Sequence, residues 1–154
     1  EGVDSVLSRG ENDRLRASDN NTVIQVELGP DIAVAGGIRF IGMENIEGGA
    51  GADTINFDDN AVLSGGVSGG GGNDIFNNVG DTSVAGNIAG NDGNDTFNIS
   101  GTLISGILQG GAGDDTFNFN QTTVAAVDGG PREGVEVPAA GVAQDRDPHD
   151  WCLR

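Results

Sequence analysis

The chain has 154 residues, 28 of them glycine, and its 24 acidic and seven basic residues leave a net charge of −17. That balance excludes a nucleic-acid or anionic-membrane surface, both of which need a basic face, and six Phe, one Trp and no Tyr are too few aromatics to fill a wide globular core. One cysteine, Cys152, excludes an internal disulfide framework or a zinc cluster, and no run approaches the roughly 18 apolar residues of a membrane-spanning helix.

Residues 1–45 read as worn copies of a unit that becomes regular further on. GENDRL (10–15) closes a turn at Asp13 and returns to Leu15, and GPDIAV (29–34) sets Asp31 before an alternating strand. TVIQVEL (22–28) and IRFIGMENI (38–46) alternate and are rich in β-branched residues, as strands are. Two further coils with incomplete turns are expected here. Arg14, Arg16 and Arg39 are expected to face solvent as partners for the excess acid.

Residues 46–130 carry the regular repeat. Four glycine-rich turns, GGAGAD (48–53), GGGGND (69–74), GNDGND (90–95) and GGAGDD (110–115), close on Asp53, Asp74, Asp95 and Asp115, at steps of 21, 21 and 20 residues. A repeat of that length is one coil of a solenoid. After each turn comes a short strand, TINF, IFNN, TFNI or TFNF. Alternation puts Ile55, Phe76, Phe97 and Phe117 on one face, with Phe57, Ile99 and Phe119 two residues on and Asn78 breaking the pattern. The other face carries Thr54, Ile75, Thr96 and Thr116, then Asn56, Asn77, Asn98 and Asn118, an outward ladder suited to parallel stacking. Later in each coil, Leu63, Val84 and Ile104 form a second apolar column. Ile46, Val67, Ile88, Leu108 and Val127 form a third. Gly65, Gly86, Gly101 and Gly106 are expected at corners with positive φ. The repeat stops after residue 130, because GGPREG (129–134) has glycine where the aspartate belongs. The tail 131–154, with three of the four Pro, is expected to be disordered or to cap the coils.

If the coils stack, the four aspartates fall in a column about 4.8 Å apart, where bare carboxylates would repel by about 3 kcal/mol at an effective dielectric near 20. Solvated turn aspartate is the bland alternative, since Asp favours turns by bonding its own backbone, but it does not account for four turns in register with flanking glycines. A column of this kind calls for a cation. Oxygen ligands on glycine-rich turns, able to supply six to eight donors, favour calcium over magnesium, which demands a rigid octahedron and keeps its waters.

GGAGADTIN, GGGGNDIFN, GNDGNDTFN and GGAGDDTFN resemble the nonapeptide repeats of the RTX (repeats-in-toxin) family, GGxGxDxUx with U a large apolar residue. The resemblance covers 46–130 well and 1–45 poorly. It implies an all-β, right-handed parallel β-solenoid (a β-roll or β-helix) that binds Ca2+ between successive turns. The carboxylates would come from Asp53, Asp74, Asp95 and Asp115. Backbone carbonyls would come from Gly48, Ala50, Gly69, Gly71, Gly90, Asp92, Gly110 and Ala112. The standard roll has metal on both edges of an 18-residue coil. Here each coil of 20–21 residues has one such turn, which is similar to the single-edge solenoids of large bacterial surface adhesins.

The function expected is therefore a calcium-binding, non-enzymatic structural segment of a secreted or cell-surface bacterial exoprotein, with no nucleic-acid partner and no membrane span. Its partners would be calcium, an extracellular or cell-surface polymer, and neighbouring coils of a longer parent chain. The lack of an initiator Met and of an export signal reads as a fragment or a mature product. Two alternatives stand beside this. One is the calcium-binding accessory region of a secreted RTX enzyme or toxin, although neither HExxH nor GxSxG occurs in the chain. The other is ice or polysaccharide binding through the Thr-x-Asn face. The ice-binding arrangement known for such adhesins puts its array on the metal turn, where this chain has no Thr column. His149, Asp150 and Cys152 could be assembled into a nucleophile set only on paper, in a tail without a pocket.

Overall fold

The computed structural model describes residues 5–7, 12–27, 29–35, 38–101, 103–120 and 123–130. The tail expected to be disordered or capping, 131–154, lies outside the described residues. In chain order the strands are β1 (Ser5–Leu7), β2 (Arg14–Arg16), β3 (Val23–Val26), β4 (Gly29–Pro30), β5 (Ile32–Ala35), β6 (Ile38–Ile41), β7 (Asn45–Gly49), β8 (Thr54–Phe57) and β9 (Ala61–Leu63). They continue as β10 (Val67–Gly71), β11 (Ile75–Val79), β12 (Ser83–Val84), β13 (Ile88–Asp92), β14 (Thr96–Ser100), β15 (Leu103–Ala112), β16 (Thr116–Asn120) and β17 (Thr123–Asp128). Among the described residues there is no helix, hence none long and apolar enough to cross a membrane.

The strands stack as a parallel β-solenoid. One wall runs β3-β8-β11-β14-β16 and a second runs β2-β7-β10-β13-β15. A third, β4-β9-β12, meets the second in β15, whose Leu103 and Ile104 pair with β12 while its later residues pair with β13. All three expected apolar columns are in register. Ile55, Phe76, Phe97 and Phe117 are successive partners, as are Ile46, Val67, Ile88, Leu108 and Val127, and Leu63, Val84 and Ile104. The first two columns, with Leu63 and Val84 of the third, make one narrow core. The Phe76, Phe97 and Phe117 rings stack with centroids 4.7 and 4.6 Å apart, which is the strand spacing. The ladder imposes this geometry on the rings.

Asn78, the exception on the core face, is buried but fully engaged. Its Oδ1 accepts from the Thr82 hydroxyl at 2.9 Å, and its Nδ2 donates to the carbonyls of Gly80 and Ser100 at 3.3 and 3.2 Å. Buried polar groups are tolerated when paired in this way, and this one fastens the corner after β11. On the outer face the Asn ladder forms as expected. Asn77 donates to Asn56, Asn98 to Asn77 and Asn118 to Asn98, at 2.8 to 2.9 Å.

The N-terminal region departs from two worn coils. Strands β2, β3 and β4 form one parallel rung, with Leu15 on Ile46, Ile24 on Ile55 and Gly29 on Ala61. The step to the next coil is 31 residues in the first two pairs, because a hairpin is inserted. Strand β5 runs antiparallel to both β3 and β6, and β1 then pairs with β6. The edge that β3 would otherwise expose is thereby covered, which removes a template for unwanted pairing. Asp31 closes no metal turn. It sits at φ 54°, and its Oδ1 accepts from the Ser64 N–H and hydroxyl at 2.7 and 2.9 Å, pinning the start of the hairpin. Arg14 and Arg16 pair with Glu47, and Arg16 also with Asp19, at 2.6 to 3.1 Å. Such exposed pairs contribute about 0–1 kcal/mol each.

The corner glycines also differ from expectation. Of the four, only Gly101 has positive φ. At Gly65, Gly86 and Gly106 a Cβ would strike the backbone of the preceding coil, so these positions need small size and not an unusual conformation.

Candidate metal centre

Each regular coil carries one six-residue turn, and the structure gives each glycine in it a distinct reason. At position 1 (Gly48, Gly69, Gly90, Gly110) a Cβ would collide with the carboxylate Oδ2 of the aspartate closing the same turn. At position 2 (Gly49, Gly70, Asn91, Gly111) φ is positive, between 80 and 133°. Asn91 fits because Asn tolerates the left-handed region better than other non-glycine residues. At position 4, Gly72, Gly93 and Gly113 are again at positive φ, while Gly51 is not and is there for room, since a Cβ would strike the backbone of Asn20 and Asn21. Position 3 faces outward at Ala50, Asp92 and Ala112 and accepts varied residues.

Position 6 holds Asp53, Asp74, Asp95 and Asp115, all no more than 2 % exposed. One oxygen of each is used. Oδ1 accepts a backbone N–H from the coil before: Thr22 to Asp53 at 2.6 Å, Asp53 to Asp74 at 2.7 Å, Asp74 to Asp95 at 2.8 Å and Asp95 to Asp115 at 2.9 Å. The other oxygen is not. All four Oδ2 atoms are buried with no hydrogen-bond partner, an expensive state for a carboxylate. At position 5, Asn21, Asn73 and Asn94 accept the N–H of Ala52, Asn94 and Asp114 in the next coil at 2.8 to 3.1 Å. Carboxamide and carboxylate staples thus run in opposite directions along the stack.

The orphaned oxygens have a neighbour across the gap. A Cβ on Gly48 would meet the Gly69 carbonyl as well as Asp53 Oδ2. One on Gly90 would meet Asp95 Oδ2 and would lie 2.6 Å from the Gly110 carbonyl. Carboxylate and carbonyl oxygens therefore border a space that only glycine leaves open. The described residues bring no three His, Cys, Asp or Glu side chains into a metal-holding cluster. A cation at these turns has to be held by one or two carboxylates plus carbonyls, an oxygen-only set of the kind calcium accepts. The residues fit the ion on these grounds. Of the expected carbonyl donors, Gly69 and Gly110 lie with an orphaned oxygen around one glycine, Gly48 and Gly90 respectively. Gly48, Ala50, Gly71, Gly90, Asp92 and Ala112 lie in the same stacked turns, with Gly71, Asp92 and Ala112 partners in register. The Ala112 carbonyl accepts the Gly93 N–H at 2.8 Å and retains a second lone pair.

Burial pushes the carboxyl of Asp74 up to about 7 from an ordinary 3.8, with the charges of Asp95 and Asp53 adding and the Asp53 N–H opposing. Asp95 rises to about 6, again chiefly by burial, with Asp115 and Asp92 adding. Asp53 and Asp115 are raised for the same leading reason. The metal-free column is therefore strained when ionised.

The residue at the aspartate position of the N-terminal rung is Thr22, since Val23 pairs with Thr54. The sequence does carry a signal, Asn21-Thr22 before an alternating strand as Asn73-Asp74 and Asn94-Asp95 precede theirs, but the 31-residue step hides it. Asp13 and Asp31 are outside the column.

Gly90→Ala is expected to destabilise the fold by about 1–3 kcal/mol, the usual range for overpacking, because the new methyl has to displace Asp95 Oδ2. Chemical denaturation in calcium-containing buffer measures this, with the exposed Ala50→Ser, expected within about 0.5 kcal/mol of the parent, as control.

The chain matches no family model, no curated protein and no solved structure.

Proposed function

We propose that the chain is a calcium-stapled β-solenoid segment of a secreted or cell-surface bacterial exoprotein, of the RTX kind and adhesin-like, with a structural and not an enzymatic role. The observation that carries this reading is the column of four buried carboxylates, each with one oxygen unpartnered. Asp53, Asp74, Asp95 and Asp115, with carbonyls of the turns above and below, would hold the ions. When bound, calcium supplies positive charge and a cross-link between successive coils.

The chain's own residues set the conditions for this. The glycines at position 1 keep the space open, and the positive φ at position 2, joined at position 4 in the last three turns, bends the backbone round it. The Oδ1 bonds orient each carboxylate. Without an ion the like charges repel, so folding and binding are coupled. In a low-calcium cytosol the chain stays extended and fit for export, and outside the cell millimolar calcium draws it into the folded form.

The test is a calcium titration of chelated protein at neutral pH, followed by calorimetry and far-UV circular dichroism. A saturable heat with a parallel rise in β signal, not reproduced by magnesium, is the expected result. Unchanged β content in chelator together with no heat of binding would defeat the reading.

A further inference from the structure

We infer that the solenoid holds a fourth calcium position beyond the three gaps between successive aspartates, formed by Asp115 and the backbone at Gly129 and Gly130. This deepens the calcium reading and rests on it.

The argument starts from the asymmetry of the carboxylates. In every coil Oδ1 reaches back to a backbone N–H of the preceding coil. Oδ2 is the oxygen left over, and where a neighbour across the gap is defined it is a carbonyl of the following coil, Gly69 for Asp53 and Gly110 for Asp95. Each ion therefore belongs to the gap after its aspartate. On that rule the gap between Thr22 and Asp53 has no orphaned oxygen to offer, and the gap after Asp115 has one.

Gly129 and Gly130 stack over the start of the last metal turn. Strand β17 stacks on β15 with Leu108 on Val127 and Gln109 on Asp128, so the next residue, Gly129, falls on Gly110 as Gly69 falls on Gly48. Gly129 is buried. Gly130 has φ 78°, and a Cβ on it would strike the Gly111 carbonyl, as one on Gly70 would strike Gly49 and one on Gly111 would strike Asn91. Asp128 Oδ1 accepts the Gly130 N–H at 3.0 Å, bracing these two glycines. Gly129 and Gly130 thus take the places of positions 1 and 2, and in the sequence the residue five places after Gly129 is Gly134, not aspartate. The other gaps also have the charge of the aspartate closing the following turn beside them, and this one does not. Calcium affinity follows ligand charge, so it fills last.

Calcium stoichiometry of the full chain, by equilibrium dialysis and calorimetry, tests this. Four equivalents are expected, one weaker than the rest. Gly130→Val, which forces a branched side chain against Gly111, is expected to lose only the weakest equivalent, with the calcium-saturated circular dichroism retained. Asp115→Asn, in which Oδ1 can still accept the Asp95 N–H, is expected to lose that equivalent first. Three equivalents in the parent, unchanged by Gly130→Val, would overturn the fourth position and leave the calcium reading standing. No bound calcium at all would overturn both.

Discussion

In chelator at about pH 7.5 the chain is expected to lose its β signature, and at about pH 5 in the same chelator to regain it. The four aspartates have folded-state pKa values above the ordinary 3.8, Asp74 at about 7 and Asp95 at about 6. Between those limits the folded chain binds more protons than the unfolded one, so stability falls as pH rises. The penalty is absent below about pH 4, grows through the interval, and is complete above about pH 7. Protons and calcium thus relieve the same strain. Calcium acts where protons no longer do. At a hundredfold excess over Kd each ion adds about 2.7 kcal/mol, so three add roughly 8, comparable to the whole stability of a domain. The measurement is circular dichroism against pH with and without calcium. About pH 5 is preferable to pH 4, because the sequence pI is near 4.1 and proteins associate where their net charge vanishes. A metal-free fold whose stability does not decline between these pH values would contradict the strained column.

Asp74→Asn is expected to act in opposite directions on the two forms. Raising a carboxyl from 3.8 to about 7 costs the ionised folded state roughly 4 kcal/mol. The carboxamide removes that charge, and its Oδ1 can still accept the Asp53 N–H that Asp74 accepts at 2.7 Å. The metal-free variant should therefore keep its fold to a higher pH than the parent, with an advantage of roughly 4 kcal/mol at neutrality that vanishes in acid. In calcium it should be the weaker protein, since the gap after Asp74 loses the charged oxygen that would hold its ion. Urea denaturation of the two proteins at both pH values, with and without calcium, measures all four quantities. A variant less stable than the parent in chelator at neutral pH would show that charge is not what strains the turn.

Both predictions depend on features that were legible to different degrees. The Asp column, the Phe column and the Asn ladder follow from spacing, because parallel coils of constant length place equivalent residues over one another. Asn78 was visible only as a flaw in the pattern, and its partner Thr82 and the carbonyls of Gly80 and Ser100 come together at a corner that no periodicity describes. The insertion at 32–41 was hidden for a different reason. IAVA alternates like any strand in this chain, and alternation is the same whether a strand pairs parallel or antiparallel.

From residues alone came the class of fold, the length of its coil from 46 to 130, its inward columns and the aspartates that line up. Those are consequences of a period, and a period is written in one dimension. The folded molecule decided where the column begins, at Thr22 and not at Asp13 or Asp31. It also decided which glycines are there for φ and which for room, and which oxygen of each carboxylate is left without a donor. These depend on the distance and orientation between atoms of neighbouring coils 20 to 31 residues apart, which exist only once the coils are stacked.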